Sequence, residues 1–173
     1  MQRKWLHKDE QLLYNHTKRC RKMIYRKPVF DDIEAIYELI NHYAEEGVML
    51  ARSRNTLYET LRDMVIAEQD GKLAGVGGLH INWDRLAEIR AMAVAPELTR
   101  QGIGAEIVKR LLKEGEAMGV EKVFTLTYKP GFFETLGFRI ITKEELPHKV
   151  WKECIDCPKF PNCDEIAMVK IMS

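Results

Sequence analysis

The chain has 173 residues, 46% of them apolar and 31% charged, with 11 glycines, 6 prolines and a formal charge of +1. That suits one globular domain able to bury a core without disulfides or an obligatory metal, and four cysteines are too few for a secreted disulfide scaffold. No apolar run reaches the ~18 to 20 residues of a membrane span, and the opening MQRKWLHKDEQ lacks the hydrophobic stretch of a secretory leader, so a soluble cytoplasmic protein without membrane contact is expected.

The charge is unevenly spread. Residues 1–27 hold nine Lys or Arg against Asp9 and Glu10, a net of +7 that leaves −6 for the remainder. Residues 1–22 read as a basic N-terminal extension and 23–173 as the folded domain. A basic arm attracts nucleic acid or an acidic partner, but no aromatic-rich strand motif or zinc-finger spacing accompanies it, so nucleic acid is not the expected partner.

In chain order, Met23 to Lys27 reads as a short strand and Asp31 to Glu46 as an amphipathic helix, with Ile33, Ile36, Tyr37, Ile40, Tyr43 and Ala44 at three- and four-residue steps. Asp31 or Asp32 can cap it and Gly47 ends it. A second helix is predicted over Leu57 to Met64. Val65 to Glu68, the turn Asp70-Gly71 and Leu73 to Ile81 form an antiparallel hairpin. Glu88 to Val94 alternates Ile89, Ala91 and Ala93 against Arg90, Met92 and Val94, and Pro96 stops that strand. Gly102 to Met118 is a long helix, Lys122 to Thr127 a strand, Phe132 to Leu136 a short helix, and Phe138 to Thr142 and Glu165 to Ile171 the last strands. The sum is one mixed α/β (α+β) layer structure.

The strongest chemical signal is the strand-to-helix step Val94-Ala95-Pro96-Glu97-Leu98-Thr99-Arg100-Gln101-Gly102-Ile103-Gly104-Ala105. Small residues there let backbone N–H groups converge at a helix start, where the dipole and unpaired donors favour a phosphate. With the preceding strand, Pro96 and the later Phe132-Phe133-Glu134-Thr135-Leu136-Gly137-Phe138, this pattern resembles the GNAT superfamily of acetyl-CoA-dependent N-acetyltransferases over about Met23 to Thr142. The resemblance implies a mixed, mostly antiparallel sheet flanked by helices on both faces. It implies that Met92, Ala93 and Val94 hold the pantetheine arm of acetyl-CoA, and that Arg100, Gln101, Gly102, Ile103, Gly104 and Ala105 hold its pyrophosphate. Phe133 would line the same site. Thr99 stands where the family carries Arg or Gln, with Arg100 next door as a substitute. The strands around Glu88 to Val94 and Phe124 to Tyr128 would splay to admit the thioester.

A narrower resemblance, to short single-domain N-acetylglutamate synthases, rests on Leu50-Ala51-Arg52-Ser53, Ala87-Glu88-Ile89-Arg90, Phe124-Thr125-Leu126-Thr127-Tyr128 and Leu146-Pro147-His148-Lys149-Val150-Trp151 followed by Cys-Pro-Lys-Phe-Pro-Asn-Cys. It implies direct transfer of acetyl to the α-amine of L-glutamate, the first step of arginine biosynthesis. Leu50, Arg52 and Ser53 would bind substrate, Arg52 taking a carboxylate. A dicarboxylate substrate calls for a second cation, for which Lys149, Arg90 and Arg54 are the candidates in that order. An acetyltransferase for another amine, a polyamine or protein N-terminus, and a non-catalytic CoA-sensing or metal-binding module are the alternatives.

An ammonium must lose a proton before it attacks, and Glu88, opening the central strand, is the candidate base, with a partner role for Arg90 as its plainer reading. Main-chain N–H groups near Met92 or Ala93 would stabilise the oxyanion. Phe133 stands where many family members carry a Tyr acid. Tyr128 is the replacement candidate, or a packing residue if the thiolate leaves unprotonated. His148, Cys154, Cys157 and Cys163 have spacing compatible with a structural zinc, against readings as reduced buried thiols or a redox pair. His42 and His80 read as structural, with no partner at ligand spacing. A homodimer stays open.

Overall fold

The computed structural model describes residues 22–146 and 162–172. The expectations for His148, Lys149, Cys154 and Cys157, and for the basic extension 1–21, lie outside the described residues.

The chain forms β1 (Met23–Arg26), α1 (Ile33–Glu45), α2 (Arg54–Glu59), β2 (Met64–Gln69), β3 (Lys72–Trp83), β4 (Leu86–Val94), α3 (Ile103–Ala117), β5 (Lys122–Thr127), α4 (Pro130–Glu134), β6 (Arg139–Ile140) and β7 (Ile166–Ile171). The strands make one seven-stranded sheet in the order β1-β2-β3-β4-β5-β7-β6. Every pairing is antiparallel except β4 with β5.

Helix α3 covers one sheet face. Its Ile103, Ile107, Val108 and Leu111 pack with Val65, Ala67, Leu79, Ile89 and Val123. Helix α1 covers the other face through Ile33, Ile36 and Ile40, against Met64, Ile66, Val76 and Ala93. A third cluster of Leu86, Phe124, Ile141, Leu146, Ala167 and Val169 occupies the C-terminal half of the sheet. Glu88 pairs with Phe124 across β4 and β5. Same-face pairing places its carboxylate at the seam between the second and third clusters.

The first helix begins later than its periodicity predicts, because Phe30–Asp32 form a 3-10 turn first. Asp32 is drawn into an ion pair with Arg26 at 2.7 Å, and Arg26 also reaches Glu68 at 2.7 Å, which pins the turn to β1 and β2. The guanidinium holds the Asp32 carboxyl below its ordinary range. The second helix is corrected from Leu57–Met64 to Arg54–Glu59. Ser53 starts it, its hydroxyl accepting from the Thr56 N–H at 3.1 Å. A 3-10 turn over Leu61–Asp63 follows, and Met64 opens β2 because Met64, Val65, Ile66 and Ala67 are all buried, as a strand covered on both faces requires. The strand expected over Phe138–Thr142 shrinks to Arg139–Ile140. Phe138 leaves the ladder to pack edge-on against Phe133, their ring centroids 5.3 Å apart.

Strand β4 departs from strict alternation. Ile89 packs on the α3 face, whereas Ala93 packs on the α1 face. Two residues, Ala91 and Met92, stand opposite the single Gly77 of β3, and Ala91 takes the left-handed backbone at φ 54°. The bulge reverses the phase of everything after it. Gly77 permits this: a Cβ there would lie 2.2 Å from Met92 Sδ and 2.9 Å from Ile107 Cγ2.

Candidate active site

Strands β4 and β5 are paired only from Leu86 with Lys122 to Glu88 with Phe124. Beyond Glu88 they separate, and the gap opens into a cavity of about 1480 Å³. That exceeds the ~300–1,000 Å³ of common small-ligand sites and suits a long, extended ligand. The buried polar groups exposed by the split are handled locally. The Thr125 hydroxyl donates to the Ile89 carbonyl at 2.9 Å, replacing the ladder bond the divergence removes. The Ala95 N–H donates to the Ala74 carbonyl at 2.9 Å, so alternation turns the main-chain groups of Val94 toward the cavity side. The Tyr43 hydroxyl, from α1, donates to the Val94 carbonyl at 2.7 Å, and burial pushes that phenol up from its ordinary value.

At one end of the cavity lies the turn into α3. Arg100 and Gly102 both adopt left-handed backbone, at φ 63° and 83°. The Gly102 carbonyl takes the first helical bond from the Glu106 N–H at 3.0 Å, which leaves the N–H groups of Ile103, Gly104 and Ala105 without intrahelical partners. Thr99, Arg100, Gly102, Ile103, Gly104 and Ala105 all line the cavity. Gln101 is exposed and off the lining. The ring of Phe132 lies 3.4 Å from where a Gly104 Cβ would be, closing the floor. Phe133 also lines the cavity and is 4% exposed.

At the other end, Glu88, Arg90, Leu50 and Arg52 line the wall next to the split, with Met92, Ala93 and Val94 between them and the helix turn. Arg52 is placed by Asn41, whose side chain accepts from the Arg52 N–H at 3.2 Å and donates to its carbonyl at 3.0 Å. The Arg90 side chain is 10% exposed and lies 4.0 Å from Asp63. Ser53 and Arg54 point elsewhere. The Ser53 hydroxyl caps α2, and Arg54 makes two 2.7 Å bonds to Glu34 while stacking 3.9 Å over the Tyr37 ring. Arg54 therefore drops out as the second cation.

The facing wall comes from β5 and the segment before β7. Tyr128 lines it, its hydroxyl donating to Asp164 at 2.5 Å. Lys143 lines it too and donates to the Cys163 carbonyl. Cys163 is a free thiol whose sulfur lies 3.7 Å from a Glu165 carboxylate oxygen. Among the described residues no group of three or more His, Cys, Asp or Glu is placed to hold a metal, and the rest of the expected zinc set lies outside them. No helix among the described residues is long and apolar enough to cross a membrane. Sequence reasoning missed Tyr43, Thr125 and Lys143. Tyr43 was readable only as a core position of α1, and the other two became visible once the strands were known to part.

The model of the acetyltransferase (GNAT) family matches residues 30–138, which span β2 to β5 and the helix turn just described. The chain belongs to the GNAT family. It is an acetyl-CoA-dependent N-acetyltransferase. Relatives of this GNAT chain include an uncharacterized N-acetyltransferase of Chlorobaculum tepidum, 40% identical over 82% of this chain and 91% of the relative. An amino-acid acetyltransferase of Mycobacterium tuberculosis is 36% identical over 78% of each chain. Among solved structures, a Mycobacterium tuberculosis protein in complex with CoA superposes with a TM-score of 0.77 at 32% identity, over 87% of this chain and 99% of that one. The N-acetylglutamate synthase of Neisseria gonorrhoeae, complexed with coenzyme A and N-acetyl-glutamate, superposes with a TM-score of 0.80 at 25% identity, over 88% of this chain but 35% of its own length. The GNAT fold expected from the sequence is the fold observed, and the helix turn offers the unpaired donors that a pyrophosphate requires.

Proposed function

We propose that this GNAT enzyme transfers acetyl from acetyl-CoA to the α-amine of L-glutamate. The observation that carries the reading is that Arg52 and Arg90 line the same cavity as Glu88. Two guanidiniums sharing a cavity with a carboxylate match a substrate that presents two carboxylates beside an amine. The name of the Mycobacterium tuberculosis relative and the ligands of the gonococcal structure point the same way.

In this reading the helix turn and the Val94 edge of β4 anchor acetyl-CoA with its thioester at the split. Arg52 and Arg90 orient glutamate, and Glu88 removes the ammonium proton directly or through one water. The amine attacks the thioester carbon, the oxyanion is held by main-chain N–H near Met92 or Ala93, and collapse expels CoA, whose thiolate takes up the second proton shed by the attacking nitrogen. Tyr128 holds the segment before β7 against the cleft, because its hydroxyl proton is directed at Asp164. In this reading transfer is direct, with no covalent enzyme intermediate.

Following CoA thiol release with L-glutamate, then with polyamines and N-terminal peptides, tests the reading. Rapid turnover confined to glutamate is expected. Preference for a polyamine or peptide would refute it, as would binding of acetyl-CoA without turnover of any amine. Glu88→Gln is expected to lower kcat by about 10²-fold or more.

A further inference from the structure

A base that takes one proton per turnover must discard it while substrate and cofactor fill the cavity. Glu88 lines the cavity, and its cross-strand partner in β3 is His80, which does not. Directly paired residues project on the same face of the sheet, with Cα atoms about 4.5 to 5.5 Å apart. The His80 side chain is 32% exposed and its Nδ1 lies 2.7 Å from Asp63 Oδ2. A carboxylate accepts only, so Nδ1 carries the hydrogen and the neutral ring presents its basic lone pair at Nε2. The same Asp63 carboxylate stands 4.0 Å from Arg90. Thus, among the described residues, Asp63 from the turn before β2 and Glu88 from β4 adjoin His80, with Arg90 on the far side of its contact to Asp63.

We propose that Asp63 and His80 form the exit route for the proton that Glu88 receives. The substrate ammonium gives a proton to the Glu88 carboxylate, and the resulting acid passes it to His80 Nε2, directly or through one water. The imidazolium, held at Nδ1 by Asp63, releases it to solvent, and the carboxylate and neutral imidazole are restored. Neither His80 nor Asp63 touches substrate; both act through Glu88 as positioning residues. The inference rests on Glu88 as the base of the proposed glutamate reaction.

Steady-state kinetics of His80→Ala test it. The expected result is a fall in kcat of about tenfold, with KM for glutamate and acetyl-CoA within about twofold, and recovery of most of the loss on adding imidazole. A rate within about twofold of the wild type, or a loss that imidazole does not restore, overturns the relay. Asp63→Asn gives a second variant, expected to lower kcat in the same direction and to flatten the acid limb of the pH profile. Should Glu88→Gln retain full activity, the base assignment fails and the relay falls with it, while the substrate assignment stands. An arm independent of turnover is the nitrogen NMR spectrum of the His80 ring, expected to show the hydrogen on Nδ1, toward Asp63, and a bare Nε2 in the neutral ring. A hydrogen on Nε2 with Nδ1 bare overturns the proposal even if glutamate is not the substrate.

Discussion

Replacing Gly77 with Ala tests whether the β4 bulge depends on an empty position across from it. The new methyl would stand 2.2 Å from Met92 Sδ and 2.9 Å from Ile107 Cγ2, both inside contact distance. Overpacking of this kind costs about 1 to 3 kcal/mol, set against the ~0.5 to 1 kcal/mol that Ala gains over Gly in backbone entropy. A net loss of about 1 to 2 kcal/mol is expected, and in a chain of this size that lowers Tm by about 2 to 8 °C. Met92 has a flexible end and can yield, but Ile107 is fully buried on α3 and cannot do so cheaply. The Met92→Ala background should therefore relieve part of the penalty, leaving a coupling of at least ~0.5 kcal/mol in a double-mutant cycle followed by thermal or urea unfolding. Since Met92 lines the cavity, displacing it is also expected to raise the KM for acetyl-CoA. A Tm unchanged by Gly77→Ala, or a penalty equal in the two backgrounds, would refute the reasoning.

Gly102→Ala places an L side chain at φ 83° with open space around it, so its cost is conformational and about 1 to 2 kcal/mol; calorimetry is expected to show CoA binding weakened about tenfold. Arg52→Ala should raise the glutamate KM at least about tenfold with a smaller change in kcat, and an unaltered KM would remove Arg52 from the site. Tyr128→Phe is expected to reduce kcat less than about threefold, and a larger loss would show that the phenol delivers a proton to the leaving thiolate. Asp32→Asn should destabilise the fold by about 1 to 3 kcal/mol at neutral pH. Because the folded carboxyl titrates below its ordinary 3.8, that contribution is complete above 3.8 and disappears as pH falls through the lower folded value. Urea melts of both proteins should therefore converge in strong acid.

The helix from Ile103 and the strand from Lys122 were legible because their signals are local, a run of apolar residues at fixed period closed by glycine or turn chemistry. The anion cradle was legible for the same reason, since Gly102 and Gly104 sit beside the strand that presents them. The β4 bulge was not. Ala91 carries no signature of left-handed backbone, and the permission for it lies fourteen residues upstream at Gly77, visible only after the strands are paired. The second helix misled at its end because Met64, apolar and read as its last residue, is drawn by burial into the strand that Val65 already signalled. Ser53 looked like a substrate ligand, yet its hydroxyl is spent on the Thr56 N–H, a local bond that any serine at that offset can make. Asp63 and His80 are separated by most of a hairpin, so their meeting could not be read before the hairpin was built.

Three residue pairs, from Leu86 with Lys122 to Glu88 with Phe124, are the only ladder between β4 and β5. The sheet is thus two leaves on a short spine, β1 to β4 on one side and β5 to β7 on the other. A molecule threaded along the gap becomes the missing rungs. Occupancy then stiffens the protein as well as supplying reactant: at a concentration 100 times Kd it adds about 2.7 kcal/mol to the folded state, and slower amide exchange should appear on both leaves together.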